Sequence, residues 1–131
     1  MKLVLDTSAY IECSKANSDF IEMLAKADTL YLPIVSYGEL YYGFKYGLKF
    51  NSNLKRLDRF IFEFQVELIN LDQKIAKIYG EICAELRKKG KPIPSNDLWI
   101  AACSKCVDGT LVTNDRHFEV ISNLKLLTPK S

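Results

Sequence analysis

Four acids stand where a site would want them: Asp6, Glu39, Asp97 and Asp115. Asp6 closes the apolar run Lys2-Leu3-Val4-Leu5, and Asp115 lies three positions beyond Val112, the last apolar residue of Thr110-Leu111-Val112-Thr113. In an open parallel sheet the ligand crevice opens beyond the carboxyl ends of the strands, so acids in these positions can face a ligand. Each could equally cap the helix that follows, because a carboxylate accepts from the first free helical N–H groups.

Asp97 differs in that its helical neighbours are Ile100 and Ala101, which puts its carboxylate on an inward-facing stripe. A buried carboxylate needs an arginine partner, a shifted pKa or a cation. The alternative is a partly wet first-turn aspartate favoured by the helix dipole. Glu39 is followed at four and eight residues by Gly43 and Gly47, so no bulky side chain crowds its column and an ion or a close chain has room. Against this, glutamate is a good helix former and is commonly solvated. Four carboxylates without a usable histidine or cysteine cluster form the ligand set of a hard ion, Mg²⁺ or Mn²⁺, and disfavour zinc. Such ions activate water and neutralise charge on a phosphate, so phosphodiester hydrolysis is the natural reaction.

The elements that would carry these acids alternate in type. Apolar runs predict strands over 2–5, 30–32, 110–113 and 125–127, with 66–71 a strand or a connector. Apolar spacings of three and four predict helices over 9–14, 18–27, 36–50, 53–64, 72–89, 97–106 and 115–121. Asp72 and Gly90 bracket the clearest of them as cap and stop, Ser95 offers a cap to the next, and Asn51-Ser52-Asn53 reads as the break in a helix hairpin. Strands that alternate with helices require crossovers, so the expected fold is α/β, three layers (α/β/α) around a central parallel sheet of about five short strands.

A length of 131 residues with 48% hydrophobic and 26% charged residues fits one soluble domain over 1–131. No stretch approaches a membrane span and no signal peptide is evident, so a cytoplasmic protein is expected. Cys13, Cys83, Cys103 and Cys106 sit at unrelated spacings in helical segments, as reduced thiols would. The net charge of +2 does not announce a nucleic-acid binder, but neutralising four carboxylates with metal would raise it to +6.

With these elements in order, the chain resembles the PIN domains, and within them the VapC-type toxins of toxin-antitoxin pairs. The resemblance rests on Leu5-Asp6-Thr7-Ser8-Ala9, on Val35-Ser36-Tyr37-Gly38-Glu39-Leu40 with Gly43, on Asn96-Asp97 leading into Ile100-Ala101-Ala102, and on Leu111-Val112-Thr113-Asn114-Asp115 followed by His117-Phe118. It implies four acidic metal positions, Asp6, Glu39, Asp97 and Asp115, with supporting hydroxyls at Thr7, Ser8 and Thr113. It further implies a Mg²⁺- or Mn²⁺-dependent endoribonuclease acting on structured RNA, silenced by a VapB-type antitoxin and forming a homodimer. A solitary RNA-processing nuclease of the same type and an inactive RNA- or protein-binding module are the alternatives. An aspartyl-nucleophile phosphatase would want a second acid where Ser8 stands.

Other signals carry less. Cys103-Ser104-Lys105-Cys106 falls late in a helix and lacks a second pair, which argues against zinc or redox chemistry. His117, the single histidine, could serve RNA binding or a capping turn, but a metal-independent histidine-based ribonuclease normally needs another general acid or base. The run Arg87-Lys88-Lys89-Gly90-Lys91 suits a helix end as well as it suits phosphates, and Tyr37, Tyr41, Tyr42, Phe44 and Tyr46 could pack a core or form a partner surface.

Overall fold

A computed structural model describes residues 1–129. The strands are β1 (Lys2–Leu5), β2 (Thr29–Pro33), β3 (Glu67–Ile69), β4 (Thr110–Val112) and β5 (Leu126–Leu127). The helices are α1 (Thr7–Ser14), α2 (Ser18–Leu24), α3 (Ile34–Tyr46), α4 (Phe50–Glu63), α5 (Gln73–Lys89) and α6 (Ser95–Cys106), with a 3-10 helix at Arg116–Val120. The five strands form one parallel sheet in the order β3-β2-β1-β4-β5. Segment 67–69, left open between strand and connector, is its edge strand.

Alternation along β1 builds the three layers. Leu3 and Leu5 face one side, where they pack with Tyr10 of α1, Phe20 and Leu24 of α2, Leu40 of α3 and Leu57 of α4. Val4 faces the other, with Ile75, Ile82 and Leu86 of α5, Ile100 to Cys103 of α6, and Phe118. All three β1 residues are fully buried, as a central parallel strand covered on both faces must be. The chain leaves β1 towards β2 and β3, then crosses back through α5 and α6 to β4, so the sheet reverses direction between β1 and β4. That pair is the switch point at which α/β sheets open a crevice.

Most helix ends follow the local signals. Asp72 Oδ1 accepts from Ile75 N–H at 2.8 Å, and Gly90 adopts the left-handed φ of 65° that closes α5. Two expectations need correction. The break in the helix hairpin is not at Asn51-Ser52-Asn53, which lies inside α4; it falls at Gly47, whose extended backbone ends α3. The Phe50 ring meets Tyr41 edge-on at 5.2 Å and sits 4.6 Å below Lys45 Nζ, so an aromatic contact fixes where α4 begins. Ser95 makes no cap; it is the first residue of α6, behind Pro94. The four thiols are free, and burial pushes Cys13 up to about 11 and Cys103 up to about 12, which makes them packing groups. Among the described residues, no helix is long and apolar enough to cross a membrane.

Gly109 leads into β4 where the backbone passes close to β1. A Cβ there would lie 2.9 Å from Val4 Cγ2 and 3.3 Å from Val107 Cγ2, both on stiff β-branched side chains. Gly109→Ala is expected to cost about 1–3 kcal/mol of stability, read as a lower urea midpoint at unchanged slope.

Candidate metal centre

Strand register brings the first two acids together. Leu5 pairs with Val112 across β1 and β4, so Asp6 and Thr113 emerge side by side at the carboxyl edge. The Asp6 amide donates to Val112 O at 3.3 Å, continuing the ladder one step beyond the strands. Asp6 is buried, and three donors serve its carboxylate: Ser8 Oγ at 2.7 Å and Ala9 N–H at 2.8 Å to Oδ1, and the Thr113 hydroxyl to Oδ2. Capping and site roles therefore coincide, because the oxygen that caps α1 is held in place by that duty.

Thr113 Oγ1 also accepts from Asp115 N–H at 2.8 Å, and Ser8 Oγ accepts from Asn114 N–H at 3.0 Å. These two hydroxyls lace the end of β1 to the loop after β4. Asp115 caps the 3-10 helix through His117 N–H at 2.9 Å, and His117 turns its ring back so that Nδ1 lies 3.0 Å from Asp115 Oδ1 and 3.7 Å from Asp97 Oδ2. Asp97 arrives from the first turn of α6, its side chain 18% exposed. Asp97, Asp115 and His117 offer ligand atoms within 4.8 Å of one another. Glu39 of α3 is held from two sides, by the Thr7 hydroxyl at 2.6 Å and the Asn96 amide at 3.2 Å.

The charge at this edge is one-sided. Among the described residues, none of the four acids pairs with a lysine or arginine. Burial pushes Asp97 up to about 6, and the negative charges of Asp115, Glu39 and Asp6 push the same way, while His117 opposes them. Burial also raises Asp6, against the hydrogen bonds from Thr113, Ser8 and Ala9 that lower it. A cluster of oxygen donors under mutual repulsion, without a fixed cation, fits a hard divalent ion.

Asp97 and Asp115 thus meet with His117, while Glu39 and Asp6 stand outside that trio and reach Asp97 through their charge. Two contributors, His117 and Asn96, lie outside the site residues expected from the sequence. His117 sits two residues past Asp115, the offset at which a capping aspartate reaches its neighbour's backbone, and that spacing could have placed its ring beside the acids. Asn96, next to Asp97, gave no signal of reaching Glu39 on a different helix.

The pattern of the PIN domain family matches residues 3–124. Ribonuclease VapC2 of Rickettsia felis is 35% identical, with 96% of each chain covered, and the tRNA(fMet)-specific endonuclease VapC of Salmonella typhimurium is 30% identical at the same coverage. Among solved structures, VapBC2 from Rickettsia felis bound to a DNA fragment from its promoter superposes with a TM-score of 0.89 at 33% identity, covering 99% of this chain and 100% of the other. DNA-bound VapBC from Salmonella typhimurium gives 0.88 at 27% identity, covering 98% of each.

The raised Asp97 carries a pH signature in the metal-free protein. The unfolded chain releases this proton near 3.8 while the folded chain holds it to about 6, so between those values the folded state binds more protons and stability falls as pH rises. Urea midpoints measured in chelator should decline across that window. Asp97→Asn should flatten the decline and raise the midpoint at neutral pH; an unchanged slope would show that Asp97 titrates normally.

Proposed function

This chain belongs to the PIN domain family, and on that premise we propose that it is a Mg²⁺- or Mn²⁺-dependent endoribonuclease, the toxin of a VapBC-type pair. The reading is supported by one observation: Asp97, Asp115 and His117 offer ligand atoms within 4.8 Å of one another, the charges of Glu39 and Asp6 act on Asp97, and among the described residues none of the four acids pairs with a lysine or arginine. The names of the Rickettsia and Salmonella relatives, a ribonuclease and an endonuclease, support the activity. VapBC complexes among the solved structures support the partner.

Asp6, Asp97 and Asp115 would hold the ion, with Glu39 at the edge of the site. When bound, the ion supplies positive charge against the phosphate oxygens and makes water a better nucleophile. The chain's own groups do the positioning. Thr113 and Ser8 aim the Asp6 carboxylate, Thr7 and Asn96 hold both oxygens of Glu39, and the Thr113 hydroxyl fixes the backbone that carries Asp115. Preset ligands of this kind need no reorganisation when charge develops on the phosphate.

The antitoxin would take a separate surface. A groove of about 410 Å³ between α1, α2 and α4 is lined by Tyr10, Ile21, Leu24, Phe60 and Phe64, with Arg56 and Arg59 also on its wall. Glu63 stands on the same wall against the two arginines, and an apolar floor with this net positive wall suits an amphipathic segment bearing acids. We read residues 1–131 as one cytoplasmic nuclease domain that pairs with a second copy, as the family resemblance implies.

Asp6→Asn and Asp97→Asn are each expected to lower cleavage of total RNA in Mn²⁺ by roughly 100-fold or more, with far-UV circular dichroism unchanged. Excess EDTA should abolish wild-type cleavage and added Mn²⁺ restore it; full activity in EDTA would sink the metal reading.

A further inference from the structure

We propose that Tyr42 is a base-stacking platform that holds one unpaired nucleobase of the RNA beside the phosphate to be cut. The inference rests on the nuclease reading and adds how the substrate is gripped. A cleft of about 630 Å³ opens along α3, lined by Thr7, Val35, Gly38, Glu39, Tyr42 and Asn96. Pockets for small ligands run to roughly 300–1,000 Å³, so a nucleotide fits. Thr7, Glu39 and Asn96 are the hydrogen-bonded trio already described, and since Thr7 follows Asp6 and Asn96 precedes Asp97 in the chain, the cleft adjoins the segments that carry those acids.

Tyr42 follows Glu39 by three residues, so the two side chains are neighbours on the helix surface. Its side chain is 70% exposed, and its ring has one aromatic neighbour, Tyr46, at 6.2 Å and 38°. One turn earlier on the same face is Gly38, where an added Cβ would meet nothing within 4 Å. The wall beside the ring is therefore bare backbone, a shelf open to a flat group. Tyr37 and Phe44 of the same helix pack on the core, and Tyr41 meets Phe50, whereas Tyr42 adds little to folding for the apolar surface it leaves in water.

The electrostatics favour a neutral grip here. Carboxylates repel phosphates, and Lys45, the one cation of α3, lies over the Phe50 ring. An aromatic face binds a base without needing charge, and stacking of this kind changes affinity by about 5- to 150-fold per base. A paired base has both faces covered by its neighbours, so the platform selects an unpaired nucleotide.

The test uses the full chain and a fluorescent RNA hairpin with an unpaired loop, with Kd measured in Ca²⁺ and cleavage in Mn²⁺. Tyr42→Ala should weaken binding by about 5- to 150-fold, and Tyr42→Phe, which keeps the ring face, should restore it. An abasic nucleotide beside the cut should weaken wild-type binding comparably and add little further loss in Tyr42→Ala. Wild-type cleavage with Kd unchanged in Tyr42→Ala would overturn the platform while leaving the nuclease reading intact. Tyr42-dependent binding without cleavage would overturn the nuclease reading and keep the platform. Loss of binding to every RNA by the wild type would remove both. A lower molar mass by light scattering for Tyr42→Ala, with RNA affinity recovering as protein concentration rises, would make this face a contact between copies and overturn the proposal.

Discussion

The Thr113 hydroxyl donates to Asp6 and accepts from the Asp115 amide, so one side chain at the end of β4 ties two acid-bearing segments together. Thr113 itself is fully buried. Its position is set by the pairing of Leu5 with Val112, and a slip of one residue would turn the hydroxyl to the opposite face of the sheet. Asp6 could not remain buried without such donors, since an unsatisfied carboxylate in that place costs several kcal/mol in order of magnitude. The two flanking cores, built on Leu3 and Leu5 on one side and Val4 on the other, hold the register that this contact requires.

Hydrogen bonding divides the acids unequally. Three donors offset the burial of Asp6, and two hold Glu39, whereas Asp97 faces His117 and its fellow carboxylates with no comparable compensation. Burial and the neighbouring carboxylates both raise Asp97, so its charged form is disfavoured in this fold. Sites that hold like charges in fixed positions trade stability for function in this manner.

The crevice draws from both faces of the sheet. Glu39 comes from α3 on the face covered by α1 to α4, and Asp97 from α6 on the face covered with α5. Neither half carries all four acids, so they come together only through the crossover by α5 and α6 that returns the chain beside β1. The apolar groove of Tyr10, Leu24 and Phe60 lies among α1, α2 and α4, which leaves room for a partner apart from the acids.

Much of this was legible in the residues. Apolar runs stopping at Asp6 and shortly before Asp115 and a stripe carrying Asp97 inward are short-range patterns, which follow from helix and strand periodicity. The glycine column expected beside Glu39 does not form, since Gly47 lies beyond the end of α3 and the cleft is lined by Gly38. The caps at Asp72 and Gly90 were equally local. The hairpin break at Gly47 was not, because the contact of Phe50 with Tyr41 outweighed the polarity of Asn51-Ser52-Asn53. Nor could spacing alone show that Asn96 reaches Glu39 or that Thr113 meets Asp6, contacts separated by 57 and 107 residues. By itself the sequence determined which residues can carry charge and which elements present them; tertiary structure decided which charges meet, because strand register and helix packing, which no local propensity encodes, set those distances.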